Sequence, residues 1–243
     1  MQIYKLLRNQ LYNIVGHYRF LKIRRYLYSY LINIGISHSK DEIDFKVIER
    51  LSFKKDGFFI ECGAADGVTY SNSFLLEKKY SWKGILIEPI NDQFNALKKY
   101  RKNAICEKYI LTSIAESGQT IKIYDAGPES LIQEDQIQNL TMSNASRLET
   151  LNVKNMIKGI EDVVSISLSE LLDIHNINHV DVFFLDVEGS EINVLDGVDF
   201  NKHNIDNIVV ETGAVEELKK YMKIKGFDRC ENIARNDYIF FKS

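Results

Sequence analysis

Residues 58–89 read FFIECGAADGVTYSNSFLLEKKYSWKGILIEP, two apolar runs of strand length flanking a helix-length segment. The first run, 58–62, stops at Gly63. The second, 84–88, stops at Pro89, which has no N–H to continue a ladder. Between them, 71–80 has a polar start and an apolar face of Phe74, Leu75 and Leu76, which predicts a helix. A strand, a helix and a second strand within about thirty residues make the repeating unit of a parallel sheet.

The alternation continues outward from this unit. A helix is expected over 91–100 with Asn91 as its N-cap, then strands over 104–111, 120–124 and 163–167. A helix over 169–175 leads to the apolar strand 180–186, a short helix 190–195 and a strand 205–211. The helix 214–225 is closed by Gly226, and 227–232 with 238–242 form a terminal antiparallel pair. The polar stretch 125–160 reads as an insertion with helical pieces at 133–139 and 145–157. The fold class is therefore α/β, a doubly wound, mostly parallel sheet with a terminal antiparallel strand.

Composition narrows the function. Residues 1–40 carry seven basic side chains and no acid, while the whole 243-residue chain has a net charge of −3, so the body is acidic. That is a poor footprint for nucleic acid and suits a small-molecule or glycan acceptor. Three scattered cysteines form no metal or disulfide pattern, which fits a reducing, cytoplasmic compartment. No secretory signal and no apolar run of about 20 residues is visible. In the basic head, Tyr4, Leu7, Leu11, Ile14, Val15, Tyr18, Leu21 and Leu27 recur at helical spacing. Residues 1–50 are thus read as a helical extension and 51–243 as the main domain. The extension packs on the domain or on a second subunit, or lies on a membrane surface through residues 1–40.

In such sheets ligands bind beyond the carboxyl ends of the strands, and acids cluster at four of those ends. They are Glu61 with Asp66, Glu88, Asp186 with Glu188, and Glu211. The first loop, Glu61-Cys62-Gly63-Ala64-Ala65-Asp66-Gly67, puts Glu61 where the dinucleotide fingerprint has glycine. An acid there disfavours pyrophosphate and suits a cation, so the loop favours S-adenosylmethionine over NAD; a plain strand-to-helix turn is the other reading. Glu88, one strand–helix–strand unit later, can accept hydrogen bonds from two ribose hydroxyls. Ser71 and Asn72 either cap the helix or meet the methionine end of the cofactor, and Ser113 either approaches the adenine or serves a turn. Asp186 is the candidate nearest a reacting methyl group, with Glu188 as orienter or base. Asp186 and Glu211 could instead hold a divalent ion.

Four blocks taken together resemble the FkbM-type methyltransferases. They are GFFIECGAADGV at 57–68, YSNS at 70–73, WKGILIEPI at 82–90 and FLDVEGSEINVLDGV at 184–198. The resemblance runs from about Asp56 to the C-terminus, with 125–160 poorly covered. It implies the class I methyltransferase (Rossmann-like) fold, S-adenosylmethionine as cofactor, and O-methylation of a sugar or other natural-product hydroxyl. It carries Glu61, Gly63, Asp66 and Gly67 onto the cofactor loop, with Ala64 inside it, and Glu88 onto the ribose acid. Asp186, Glu188 and Glu191 fall on the family's acidic block. Glu61 stands where many relatives have aspartate. Two other functions are carried beside this one, a methyltransferase acting on a non-sugar acceptor and a non-catalytic binding module that keeps the fold. A nucleotide-dependent dehydrogenase or epimerase is disfavoured by the missing G-x-G-x-x-G.

Overall fold

A computed structural model of the chain describes residues 39–125, 131–132, 159–187 and 189–243. The expected helices at 133–139 and 145–157, the head at 1–38 and Glu188 lie outside the described residues.

The main sheet contains β1 (Phe58–Cys62), β2 (Lys83–Ile87), β3 (Ile105–Glu107), β8 (His179–Leu185), β9 (Asn204–Glu211), β10 (Arg229–Asn232) and β11 (Asp237–Phe241). Its order is β10-β11-β9-β8-β1-β2-β3. The strands β3, β2, β1, β8 and β9 run parallel, whereas β11 is antiparallel to both of its neighbours, β9 and β10. From β1 the chain steps outward through β2 and β3, then returns to the other side of β1 with β8. The order therefore reverses between β1 and β8, which is where such folds bind ligands.

Alternate residues of each strand enter different cores. Phe59, Leu86, Val182, Phe184, Val209 and Ile239 pack beneath α1 (Ile43–Arg50), α2 (Phe74–Tyr80) and α3 (Asn91–Tyr100). Ile60, Ile85, Ile87, Phe183, Leu185, Ile208 and Phe240 pack beneath α4 (Leu168–Ile174), α5 (Glu191–Leu195) and α6 (Val215–Ile224). Both faces are covered, which explains why the central strands read as nearly unbroken apolar runs. The described end of the 1–50 extension is part of this body, since Ile43, Val47 and Ile48 are all buried.

Three features differ from the sequence reading. The single strand expected over 104–111 is two, β3 and β4 (Ile110–Thr112), which belong to different sheets. The second sheet has the order β4-β7-β5-β6, with β5 (Thr120–Asp125), β6 (Leu131–Ile132) and β7 (Gly159–Ser167). Its Ile110, Ile123 and Val163 pack on Ile90, immediately after Glu88 and Pro89. Next, α2 starts at Phe74 rather than at 71, because the backbone and hydroxyls of 71–73 are committed to Glu61. Finally, the N-cap of α3 is Ile90, and the Asn91 N–H is satisfied by Glu161 of the small sheet.

Candidate functional site

Strand register assembles the predicted acids. In β2, β1 and β8 the last paired residues are Ile87, Cys62 and Leu185, and Leu185 pairs with Val210 of β9. One step further along each strand stand Glu88, Gly63, Asp186 and Glu211, side by side across the carboxyl edge. Glu211 in turn pairs with Asp237 of β11. Residues more than a hundred positions apart are thus placed in one row, with Gly63 and Asp186 at the switch point.

The contact between Gly63 and Asp186 is tight. Gly63 has a φ of +78°, and a Cβ there would lie 2.4 Å from the Asp186 carbonyl oxygen. Glycine is therefore demanded by the protein's own backbone as well as by any ligand. The N–H groups of Gly63 and Ala64 both donate to the Ile87 carbonyl. Gly67, with a φ of +74°, closes the loop against Leu97 and Arg101.

Glu61 lies beneath this loop. It is 4 % exposed and points to the α2 face of the sheet. Its carboxylate accepts from the Asn72 N–H at 2.7 Å, the Ser71 hydroxyl at 2.8 Å and the Ser73 hydroxyl at 2.5 Å. Arg101, fully buried at the C-terminal end of α3, lies 3.9 Å from the same carboxylate. The guanidinium also donates to Glu77 at 2.6 Å, to the Gly67 carbonyl at 2.9 Å and to the hydroxyls of Ser71 and Ser73. Asp66 accepts from the N–H groups of Val68 and Thr69 and from the Thr69 hydroxyl. Glu61, Asp66 and Ser71 are thus builders of the loop. Asn72 is different, because its Oδ1 is buried with no hydrogen-bond partner. A buried acceptor left without a donor costs about 1–3 kcal/mol, which a ligand donor would recover.

Glu88 is buried at the end of β2 and accepts from the Ala65 N–H at 2.8 Å and the Ile90 N–H at 2.9 Å. It therefore joins the first loop to the second strand, as the spacing of the two motifs suggests. Ser113 follows β4 at the N-cap position of a short turn, where its carbonyl accepts from the Glu116 N–H. The Glu116 side chain accepts from Thr112 and Asn193, and these bonds hold its carboxyl below the usual range.

At the far end of the row, Asp186 is exposed and Glu211 partly so. Two residues beside them escaped the sequence reading. Asp237 is buried directly opposite Glu211. Lys40, counted only as part of the basic head, places its ammonium 3.2 Å from Glu211 Oε1. Neither has a motif, since each is recognisable only through its neighbour in space.

Burial, reinforced by the Glu211 charge, pushes the Asp237 carboxyl up from 3.8 to about 6. A carboxyl with a raised folded-state value stabilises the fold while protonated. That contribution is full below its unfolded value and is lost as pH rises through about 6. Asp237→Asn is therefore expected to gain stability over the parent between about pH 4 and about pH 7.5, by on the order of 2 kcal/mol. Urea midpoints across that range check it, and a difference independent of pH would contradict it.

Among the described residues, a group of three metal-ligating side chains occurs at His179, Asp181 and Asp206. These lie at the amino ends of β8 and β9, away from Asp186 and Glu211. Asp181 there already accepts from the Phe58 N–H and pairs with Lys54, and His179 bonds Asp206 at 2.8 Å. Asp186 and Glu211 belong to no such three-residue group among the described residues.

A doubly wound sheet with one reversed strand, a glycine loop at its switch point and an acid closing the next strand define a class I methyltransferase domain. The chain belongs to the FkbM methyltransferase domain family, whose model matches residues 61–230. It is accordingly a methyltransferase, with S-adenosylmethionine as its cofactor.

Among solved structures, the human methyltransferase 10 domain containing protein is similar over 82% of this chain and 81% of its own, at 13% identity and a TM-score of 0.43. Precorrin-6y C5,15-methyltransferase from Geobacter metallireducens GS-15 gives 84% and 89%, 14% identity and 0.41. A SAM dependent methyltransferase from Aquifex aeolicus gives 82% and 87%, 11% identity and 0.40. No curated protein matches the chain. No helix among the described residues is long and apolar enough to cross a membrane.

Proposed function

We propose that the protein methylates a sugar hydroxyl, in a surface glycan or a related natural product. The observation that carries this reading is the pair of carboxylates, Asp186 and Glu211, beside the Gly63 loop at the switch point. Carboxylates there accept hydrogen bonds from a polyhydroxyl acceptor, and an acidic body does not attract a nucleic acid. S-adenosylmethionine supplies a methyl group activated by its sulfonium.

The residues present fit that cofactor. Glu88 offers its oxygens to the two ribose hydroxyls, and the orphan Asn72 Oδ1 accepts from the ammonium. The backbone from Gly63 through Ala64 to Gly67 shapes the floor, held by Glu61, Asp66 and Ser71, and Ser113 is assigned to the adenine. Asp186 accepts the proton of the attacking hydroxyl while Glu211 orients the sugar. Glu188, next to this block in sequence, is retained as a further orienter.

Calorimetric titration with S-adenosylmethionine tests the cofactor half. Glu88→Ala is expected to weaken binding at least tenfold, since charged hydrogen bonds contribute about 1.5–3 kcal/mol each. Unchanged affinity would remove the ribose role. Radiolabelled methyl transfer to a mixed pool of oligosaccharides, with peptides and small phenols in parallel, tests the acceptor. Label in the latter and none in oligosaccharide overturns the sugar assignment.

A further inference from the structure

We propose that Lys40 is a positioning residue of the active site, holding the Glu211 carboxylate in place for the acceptor, so that the site is incomplete within the family's 61–230 span. This rests on the reading of Glu211 as the residue that orients the sugar.

The reasoning starts from the ladder between β9 and β11. Glu211 and Asp237 are directly paired, so their side chains are neighbours on one face of the sheet. Two like charges directly opposite each other repel, and the Asp186 carboxylate ends the next strand. A carboxylate so placed is fixed in direction by a neighbouring cation. Lys40 supplies it at 3.2 Å, and its charge is also felt by Asp237 and Asp186. The charges facing Asp237 are those of Glu211, Lys40, Asp41 and Lys46.

The segment that delivers Lys40 is anchored at both ends. Asp41 and Glu42 have φ of +55° and +63°, a costly conformation for residues other than glycine. It is held by neighbours on both sides. Ser39 bridges in parallel to Tyr70, the residue just before the Ser71–Ser73 clasp on Glu61. The Ser39 hydroxyl donates to Asp44 Oδ1 and accepts from the Asp44 N–H, both at 2.9 Å, and Arg235 lies 3.8 Å from Asp41. The same few residues thus touch the cofactor loop through Tyr70 and the acceptor carboxylate through Lys40. Stability alone does not account for this, because a half-exposed ion pair contributes little to it.

The test uses the full chain as parent, Lys40→Met, Lys40→Arg, Glu211→Gln and the Lys40→Met/Glu211→Gln double variant. Initial rates are measured with radiolabelled S-adenosylmethionine at limiting and at saturating mixed oligosaccharide. The midpoint of the Asp237 carboxyl titration is followed by NMR. Lys40→Met is expected to lower the rate about tenfold at limiting acceptor and less than about threefold at saturation. Lys40→Arg should restore most of it, and the double variant should match Glu211→Gln, because the lysine acts through the glutamate. The Asp237 midpoint should move up in Lys40→Met and return in Lys40→Arg. A normal rate for Lys40→Met beside an impaired Glu211→Gln, additive losses in the double variant, or an unmoved Asp237 midpoint overturns the role of Lys40. A normal rate for Glu211→Gln overturns the assignment of Glu211 itself, and with it the proposal.

Discussion

Arg101→Met is expected to destabilise the protein by about 3–5 kcal/mol and to weaken S-adenosylmethionine binding at least tenfold. The side chain is fully buried and carries four hydrogen bonds, to Glu77, the Gly67 carbonyl, Ser71 and Ser73. Methionine fills much of the volume and restores none of these. It leaves Glu61 and Glu77, at 4 % and 6 % exposure, without the central cation, although Lys78 still reaches Glu77 at 2.6 Å. Removing one partner of a buried charge network costs more than the network contributes, because the remaining carboxylates cannot return to water. The loop from Gly67 to Ser73 then loses its clasp, and the Asn72 acceptor loses its fixed position. Lysine at 101 keeps the charge but cannot reproduce the fork, so Arg101→Lys should recover only part of the loss. Urea denaturation and calorimetric titration read the two effects. A stability change below about 1 kcal/mol would mean that the hydroxyls and backbone hold the loop without the guanidinium.

Asp186→Asn is expected to act on the other half of the site. It should lower turnover by about 10²- to 10⁴-fold, the range over which a positioned base contributes, with cofactor affinity changed less than about threefold. Asparagine keeps the shape and the hydrogen-bonding reach but cannot take a proton. The carbonyl of the same residue forms the contact with Gly63, so the isosteric change leaves the loop packing intact. Single-turnover methyl transfer beside calorimetry separates chemistry from binding. Turnover within about threefold of the parent would move the base to another carboxylate of the row.

Much of this was legible along the chain. The runs at 58–62, 180–186 and 205–211 differ from β1, β8 and β9 by at most one residue at either end. Apolar runs buried on both faces leave no other local reading, and Gly63 and Pro89 mark where strands must stop. The acids after those strands were visible for the same reason. Harder to read were the partners. Glu61 reads along the chain as a ligand for a cationic cofactor, and nothing near it in sequence reveals that three groups of 71–73 donate to its oxygens or that Arg101 stands 3.9 Å away. The run 104–111 looked like one strand, because the change of sheet at Lys108 and Tyr109 follows from pairing with β2 on one side and β7 on the other.

By itself, then, the sequence determined the strand–helix alternation of the main sheet, the glycine loop and the acids that end the strands. These depend on side-chain period and backbone freedom within a few residues. Only the tertiary structure decided that Glu88, Gly63, Asp186, Glu211 and Asp237 stand in one row, that Arg101 underlies the loop and that Lys40 reaches across to Glu211. Those facts depend on register and on charge partners 24 to 171 positions apart, where no local pattern records which group will neutralise which.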